Sequence, residues 1–207
     1  MATIPMRRWW HGALLAPAVV AWLIAPLAAA QKLEGEELVS ALQQGEHVIV
    51  IRNARSASEP PASEREAAPA NIKLEREIDA YGMGEMSALT YSFRALRIPV
   101  GQTLTGPAYR SRQSAQYFGF GDIKVVDALA EPGAGGDSNW LKERVREVPP
   151  GGKNLVIITH GALIADAFGA DARDFRTAET LIYRPHGDRA ELVARLTIED
   201  WAKLAVK

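Results

Sequence analysis

The chain has 207 residues, 47% hydrophobic content and a formal net charge of -1. That balance is ordinary for a globular protein, excludes nucleic-acid binding driven by net basic charge, and leaves no acidic tail. Cysteine is absent, which removes thiol catalysis, disulfides and cysteine-based metal sites together.

The first 30 residues read as an export signal. Arg7 and Arg8 supply a positive start, residues 13–27 form an apolar stretch, and Ala28-Ala29-Ala30 offers a small-residue cleavage site before Gln31. Pro17 and Pro26 interrupt the stretch and Ala dominates over Leu and Ile, which favours a cleaved signal peptide over an uncleaved anchor. The expected product is one domain over 31–207, periplasmic or secreted, with no membrane contact after cleavage.

Residues 33–44 carry Leu33, Leu38, Val39 and Leu42 at helical spacing, and Gly45 is placed to end the helix. Val48-Ile-Val-Ile51 comes next, a run of β-branched residues that reads as a strand buried on both faces. It leads directly into Arg52-Asn53-Ala54-Arg55. Ligands of open α/β sheets bind beyond the carboxyl ends of strands, and charge placed there costs desolvation unless an anion answers it. The composition of 56–71 turns to Ser, Glu, Ala and Pro, a long loop that is either a lid over the strand end or a floppy insertion.

Met83, Met86, Leu89, Phe93 and Leu96 predict a helix over 82–96 packed on the sheet, with the methionines in the core. A short extended piece at 103–107, a helix over 109–119 and a strand at 123–126 come after it. The glycine-rich 131–138 stretch predicts a surface loop, and 140–148 a helix stopped by Pro149-Pro150. Leu155-Val-Ile-Ile158 is a second fully buried strand ending at Thr159-His160-Gly161, before a short helix over 162–169. A hairpin turning at His186-Gly187-Asp188 and a helix opened by a capping box at Thr197-Ile-Glu-Asp200 close the chain. Alternating strands and helices give an α/β fold, a three-layer αβα sandwich with a mostly parallel central sheet.

Parallel packing of the two buried strands would bring Arg52-Asn53 and His160 to one sheet edge. The helix after Gly161 would aim its free N–H groups there, and Arg110 would close the ring. Guanidinium forks with an imidazole suit a phosphate. His47 starts the first strand, roughly 20 Å from Asn53 at about 3.3 Å per residue, and belongs to the opposite end. His186 sits in a turn and reads as solvated. Arg55 and Arg112 are rim or surface residues, and Arg76 packs or orients the site.

These motifs resemble the histidine phosphatase superfamily, the phosphoglycerate mutase-like proteins, in their exported bacterial branch. The family shows Arg-His-Gly or Arg-His-Ala after its first strand. Here Leu33-Glu-Gly-Glu-Glu-Leu-Val precedes that strand, and Arg76-Glu-Ile-Asp-Ala-Tyr-Gly82 stands at the Arg-x-Leu-Ser/Thr-x-x-Gly segment. Gly106-Pro-Ala-Tyr-Arg110 with Ser114-Ala115 is similar to Ser-Pro-x-x-Arg followed by Thr-Ala, and Thr159-His160-Gly161 to the second histidine motif. The resemblance implies that Arg52, Arg110 and His160 bind phosphate, that Glu131 is the proton donor, and that neither metal nor cofactor is required.

Asn53 falls on the family's phosphorylated histidine. An amide nitrogen has its lone pair delocalised into the carbonyl, so it neither attacks phosphorus nor carries a phosphoryl group as a cation. The expectation is therefore a catalytically impaired member, a pseudoenzyme of the hydrolase fold, that binds phosphate or a phosphorylated small molecule through Arg52, Asn53, Arg110 and His160. Two other readings stay open: an active phosphomonoesterase using His160 or an activated water, and a structural or interaction domain.

Overall fold

The computed structural model describes residues 32–206; the signal peptide expected over 1–30 lies outside the described residues. In chain order the elements are α1 (Gly35–Gln44), β1 (Val48–Arg52), α2 (Ala80–Ala95), β2 (Val100–Thr105), α3 (Tyr109–Phe118), β3 (Asp122–Val125), α4 (Ser138–Arg144), β4 (Asn154–Thr159), α5 (Gly161–Phe168), β5 (Thr180–His186), β6 (Arg189–Leu196) and α6 (Ile198–Ala205).

The strands form one sheet in the order β3-β2-β4-β1-β5-β6. The β2–β3, β2–β4 and β1–β4 pairings are parallel, whereas β5 runs antiparallel to both β1 and β6. This is the expected α/β sandwich with a mostly parallel sheet. The two apolar runs, β1 and β4, lie side by side at its centre because they have no polar face to give to solvent.

Alternation along these strands divides the core. Ile49, Ile51, Val156 and Ile158 pack with α1, α2, α3 and α6 through Leu38, Phe93, Phe118 and Trp201. Val48, Val50, Leu155 and Ile157 face α4 and α5, where Leu141, Leu163 and Ile164 complete the second layer. Each such side chain, fully buried, contributes about 1.5–3 kcal/mol relative to exposure. On the first face Phe93 meets Phe118 edge-on at 5.0 Å and Trp201 at 4.8 Å between ring centroids.

Several boundaries shift. The helix expected over 140–148 starts two residues earlier and ends at Arg144, because Asp137 caps it by accepting from Asn139 and Trp140 N–H. The piece expected at 103–107 is a full strand at Val100–Thr105. The helix expected to open at residue 33 begins at Gly35, since Leu33 donates instead to Val193 O. The capping box is present, with the Thr197 and Asp200 side chains each bonding the other's backbone N–H.

At the amino end of the central strands the Asn154 side chain ties three segments together. It accepts from His47 N at 3.1 Å and donates to Leu42 O and Pro99 O at 2.7 and 2.9 Å. His47 is buried there, with Nδ1 2.7 Å from Gly45 O, so it packs the end of the sheet away from Asn53. Among the described residues no helix is long and apolar enough to cross a membrane, and no group of three or more acidic or imidazole side chains is placed to hold a metal ion.

Candidate phosphate site at the carboxyl ends of the central strands

Register alone sets the heart of the site. Arg52 lies opposite Thr159 in the parallel β1–β4 pair, and Asn53 N–H donates to Thr159 O at 2.8 Å. Asn53 and His160 therefore leave the sheet side by side. Both are buried.

Arg110 arrives from the first turn of α3, whose start is fixed twice. Glu75 accepts from Tyr109 N–H at 2.6 Å, satisfying one of the helix's free donors. Gly106 lies so close to the chain beside it that an added Cβ would stand 2.2 Å from Leu129 O. One turn on, the Ser114 hydroxyl donates to Arg110 O at 2.7 Å and accepts from Ala54 N–H at 3.0 Å. That couples α3 to the loop leaving β1, so the two arginines hold a fixed relation.

Arg52, Asn53, Arg110, Glu131, His160 and Gly161 line a single cavity of about 550 Å³. The Arg52 guanidinium donates to Phe175 O, and a Cβ on Gly161 would stand 2.9 Å from Arg52 Nε. Glycine at the start of α5 is what admits that guanidinium beside the helix N-terminus. Arg110 Nη2 donates to Glu131 Oε1 and lies 3.3 Å from His160 Nδ1. The same Glu131 oxygen is 3.3 Å from that nitrogen. Every residue that the sequence assigned to the site is thus in one pocket, and His47 is at the other end of the sheet.

Burial, then Arg110, then Arg52 lower the His160 pKa from 6.5 to about 4. Glu131 works in the opposite sense, but its carboxylate is shared with Arg110 and is 47% exposed, so burial and the two cations prevail. The imidazole is neutral at pH 7. His160 Nε2 is buried and has no hydrogen-bond partner among the described residues. Arg52 has no carboxylate within ion-pair distance among them either. A guanidinium left without an anion costs free energy that an oxygen-rich ligand recovers.

The lowered His160 pKa predicts the acid behaviour of the fold. The unfolded chain takes up this proton near pH 6.5 and the folded chain only near pH 4. Between those values the unfolded state holds more protons, so stability falls as pH drops through that window and is fully present above it. The loss is on the order of 3 kcal/mol for this group, and His47, lowered chiefly by burial, acts in the same sense. Proton NMR of the His160 ring should show a midpoint near 4 that moves up when phosphate is added; a midpoint near 6.5 without ligand would overturn the assignment.

The arginines outside the centre divide. Arg55 lines the rim, with Nε donating to Asp79 at 2.8 Å and its guanidinium 4.6 Å over the Tyr81 ring. Arg112 lies outside the pocket, 5.2 Å over the Tyr109 ring. Arg76 donates to Ala57 O at 2.7 Å and Ser56 Oγ at 2.8 Å, which orients the segment after β1 as expected. The long loop is stapled to itself: Ser56 bridges Ile78, Ala57 N–H donates to Glu77 O at 2.9 Å, and Asn71 Nδ2 donates to Glu75 O at 2.7 Å. It is a strap rather than a floppy insertion.

No protein-family model matches the chain, and no curated protein matches it. Solved structures do. One named for the phosphohistidine phosphatase SixA from Agrobacterium tumefaciens is 20% identical, covers 73% of this chain and 97% of its own, and superposes with a TM-score of 0.52. The protein histidine phosphatase SixA complexed with tungstate is 14% identical over 74% of this chain and 98% of its own, with a TM-score of 0.58. A histidine-to-alanine variant of phosphoserine phosphatase from Entamoeba histolytica, bound to phosphoserine, is 11% identical over 74% and 98%, with a TM-score of 0.51.

The fold is that of the histidine phosphatases. In this version of the histidine phosphatase fold, one wall of the pocket carries no sequence motif. Asp174, Phe175 and Thr177 come from the connection between α5 and β5. Asp174 and Ala178 take left-handed φ values of 52° and 55°, a strained form for non-glycine residues that the surroundings must hold. Glu85, buried in α2, does part of that holding. It accepts from Arg55 N–H at 2.8 Å and from the Thr177 hydroxyl at 2.5 Å, linking the loop after β1 to the segment before β5. A glutamate inside an otherwise apolar helical pattern was the only sign of it in the sequence.

Proposed function

We propose that this chain is a histidine phosphatase-family protein of the cell envelope that binds phosphate or a phosphorylated small molecule and is impaired in catalysis. The observation that carries the reading is Arg52, Arg110 and His160 lining one pocket, with Arg52 left without a carboxylate partner among the described residues. Charge-assisted hydrogen bonds from such groups contribute about 1.5–3 kcal/mol each. Tungstate and phosphoserine in the complexes of the structural neighbours are anions of the same kind. Asn53 occupies the place where the resemblance puts the phosphorylated histidine, which supports binding without covalent turnover. The leader-like residues 1–30 support export.

Titration calorimetry with phosphate and with vanadate tests this. Saturable binding is expected, with a rise in unfolding temperature that tracks ligand concentration. No heat and no thermal shift would sink the proposal.

A second reading, residual phosphomonoesterase activity through His160, is favoured by its neutral imidazole, which keeps a basic lone pair at pH 7. An aryl phosphate assay of the parent beside His160→Ala decides it. Activity in the parent that disappears in the variant would replace the first reading by the second.

A further inference from the structure

Arg52 takes much of its orientation from the connection between α5 and β5. Its backbone N–H donates to Glu179 O at 3.1 Å, its carbonyl accepts from Ala178 N–H at 3.0 Å, and its guanidinium donates to Phe175 O. That connection is irregular chain, and the left-handed φ values of Asp174 and Ala178 cost free energy unless neighbours hold them.

Two charged side chains outside the phosphate cavity hold it from the β6 edge. Glu179 is 4% exposed. One of its carboxylate oxygens accepts from Arg176 N–H at 2.6 Å, closing a turn in which Glu179 N–H donates to Arg176 O at 3.2 Å. The other oxygen accepts from Arg195 Nε at 2.7 Å. Arg195, on β6, also reaches the start of the connection: Nη1 donates to Asp171 O at 3.2 Å, and the guanidinium lies 5.4 Å over the Phe175 ring. One ion pair therefore ties Asp171, Phe175, Arg176 and Glu179 together, and Phe175 O is the acceptor that aims the Arg52 guanidinium. Neither Arg195 nor Glu179 lines the phosphate cavity.

Such a pair is an inefficient way to stabilise a sheet. Desolvation of the carboxylate and the guanidinium offsets most of their attraction, and apolar side chains of similar volume stabilise as well or better. Apolar side chains could not hold the Arg176 N–H and the Asp171 carbonyl, and through them Phe175. We propose that Arg195 and Glu179 are positioning residues for the phosphate site, setting the direction of the Arg52 guanidinium through residues 171–179. This rests on the phosphate reading of the pocket.

Calorimetry of Glu179→Gln with inorganic phosphate tests it, because charge and position predict opposite signs. Removing a negative charge near an anion site would by itself tighten binding. Loss of position weakens it. Glutamine presents one acceptor and one donor where the carboxylate presents two acceptors, so it cannot serve both Arg176 N–H and Arg195 Nε. The expected affinity is about tenfold lower, as a weakened charge-assisted contact requires. In the ligand-free variant the His160 midpoint should rise, since Arg52 is among the causes that hold it near 4; charge removal alone would lower it. In an Arg52→Ala background the same change should cost no further affinity. Arg195→Lys keeps the charge, but one ammonium does not reproduce the grip on both Glu179 and Asp171. It should show a smaller loss in the same direction, and it carries the test if Glu179→Gln does not fold. Affinity and midpoint unmoved or shifted in the charge sense, with only the unfolding temperature lowered, would overturn the inference; so would a loss additive with Arg52→Ala. A parent that binds no phosphate overturns the reading of the pocket, and the His160 midpoint then decides alone whether Glu179 sets Arg52.

Discussion

Asn53→His is expected to convert this protein into a working phosphomonoesterase, raising aryl phosphate hydrolysis roughly a thousandfold or more over the parent. Asn53 is buried between the ends of β1 and β4, with its backbone fixed by the bond to Thr159 O at 2.8 Å and its amide nitrogen donating to Ala54 O at 3.2 Å. An imidazole Nδ1 sits at the same point along the side chain as that amide nitrogen. In the variant Nδ1–H takes over the bond to Ala54 O, which fixes the tautomer and leaves the Nε2 lone pair free to attack phosphorus. The open side of the cavity takes the rest of the ring.

The remaining groups then have work that an amide denied them. Arg52 and Arg110 neutralise the phosphoryl oxygens, Glu131 is within reach to protonate a leaving oxygen, and His160 adds a further polar contact. Loss of a nucleophile in a tuned hydrolase costs on the order of a million-fold; regaining one in a site not selected for it recovers only part of that. A His160→Ala change made on top of Asn53→His should remove most of the gain. Equal, background-level rates in parent and Asn53→His would mean that the pocket departs from a phosphatase by more than its nucleophile.

Most of the site was legible because strand ends and helix starts fix it. A run such as Val48–Ile51 has no polar face, so it must lie at the centre of the sheet, and the residues after it must emerge at the carboxyl edge. The same logic brought His160 there from Leu155–Ile158, and two such strands pairing in parallel left Asn53 and His160 as neighbours. Arg110 was legible through its place just inside a helix. The wall from Asp174 to Thr177 was not, because it is irregular chain whose shape comes from Glu85 and from left-handed residues rather than from any periodic pattern. The strap was half legible: its Pro and Ser content marked a loop, but the bonds from Ser56, Ala57 and Asn71 that staple it obey no periodicity that a sequence displays.

Arg110→Ala should weaken phosphate binding by roughly ten- to a hundredfold, as the loss of about 1.5–3 kcal/mol from a charge-assisted contact requires. It should also raise the His160 pKa. Arg110 is the second cause, after burial, of that pKa standing near 4. Without the guanidinium, Glu131 faces Nδ1 at 3.3 Å with no cation between them and draws a proton onto the ring. Burial and Arg52 persist, so the midpoint rises but stays below that of a free imidazole carrying a carboxylate partner. Arg110→Lys separates charge from shape. A lysine restores much of the electrostatic depression of His160, while its single ammonium cannot reproduce the fork that spans two phosphate oxygens, so binding recovers only in part. If Arg110→Ala weakened binding with the His160 midpoint unmoved and the fold intact by thermal unfolding, Arg110 would act on the ligand alone. If neither quantity moved, the cation that matters would be Arg52, held against Phe175 O and Gly161.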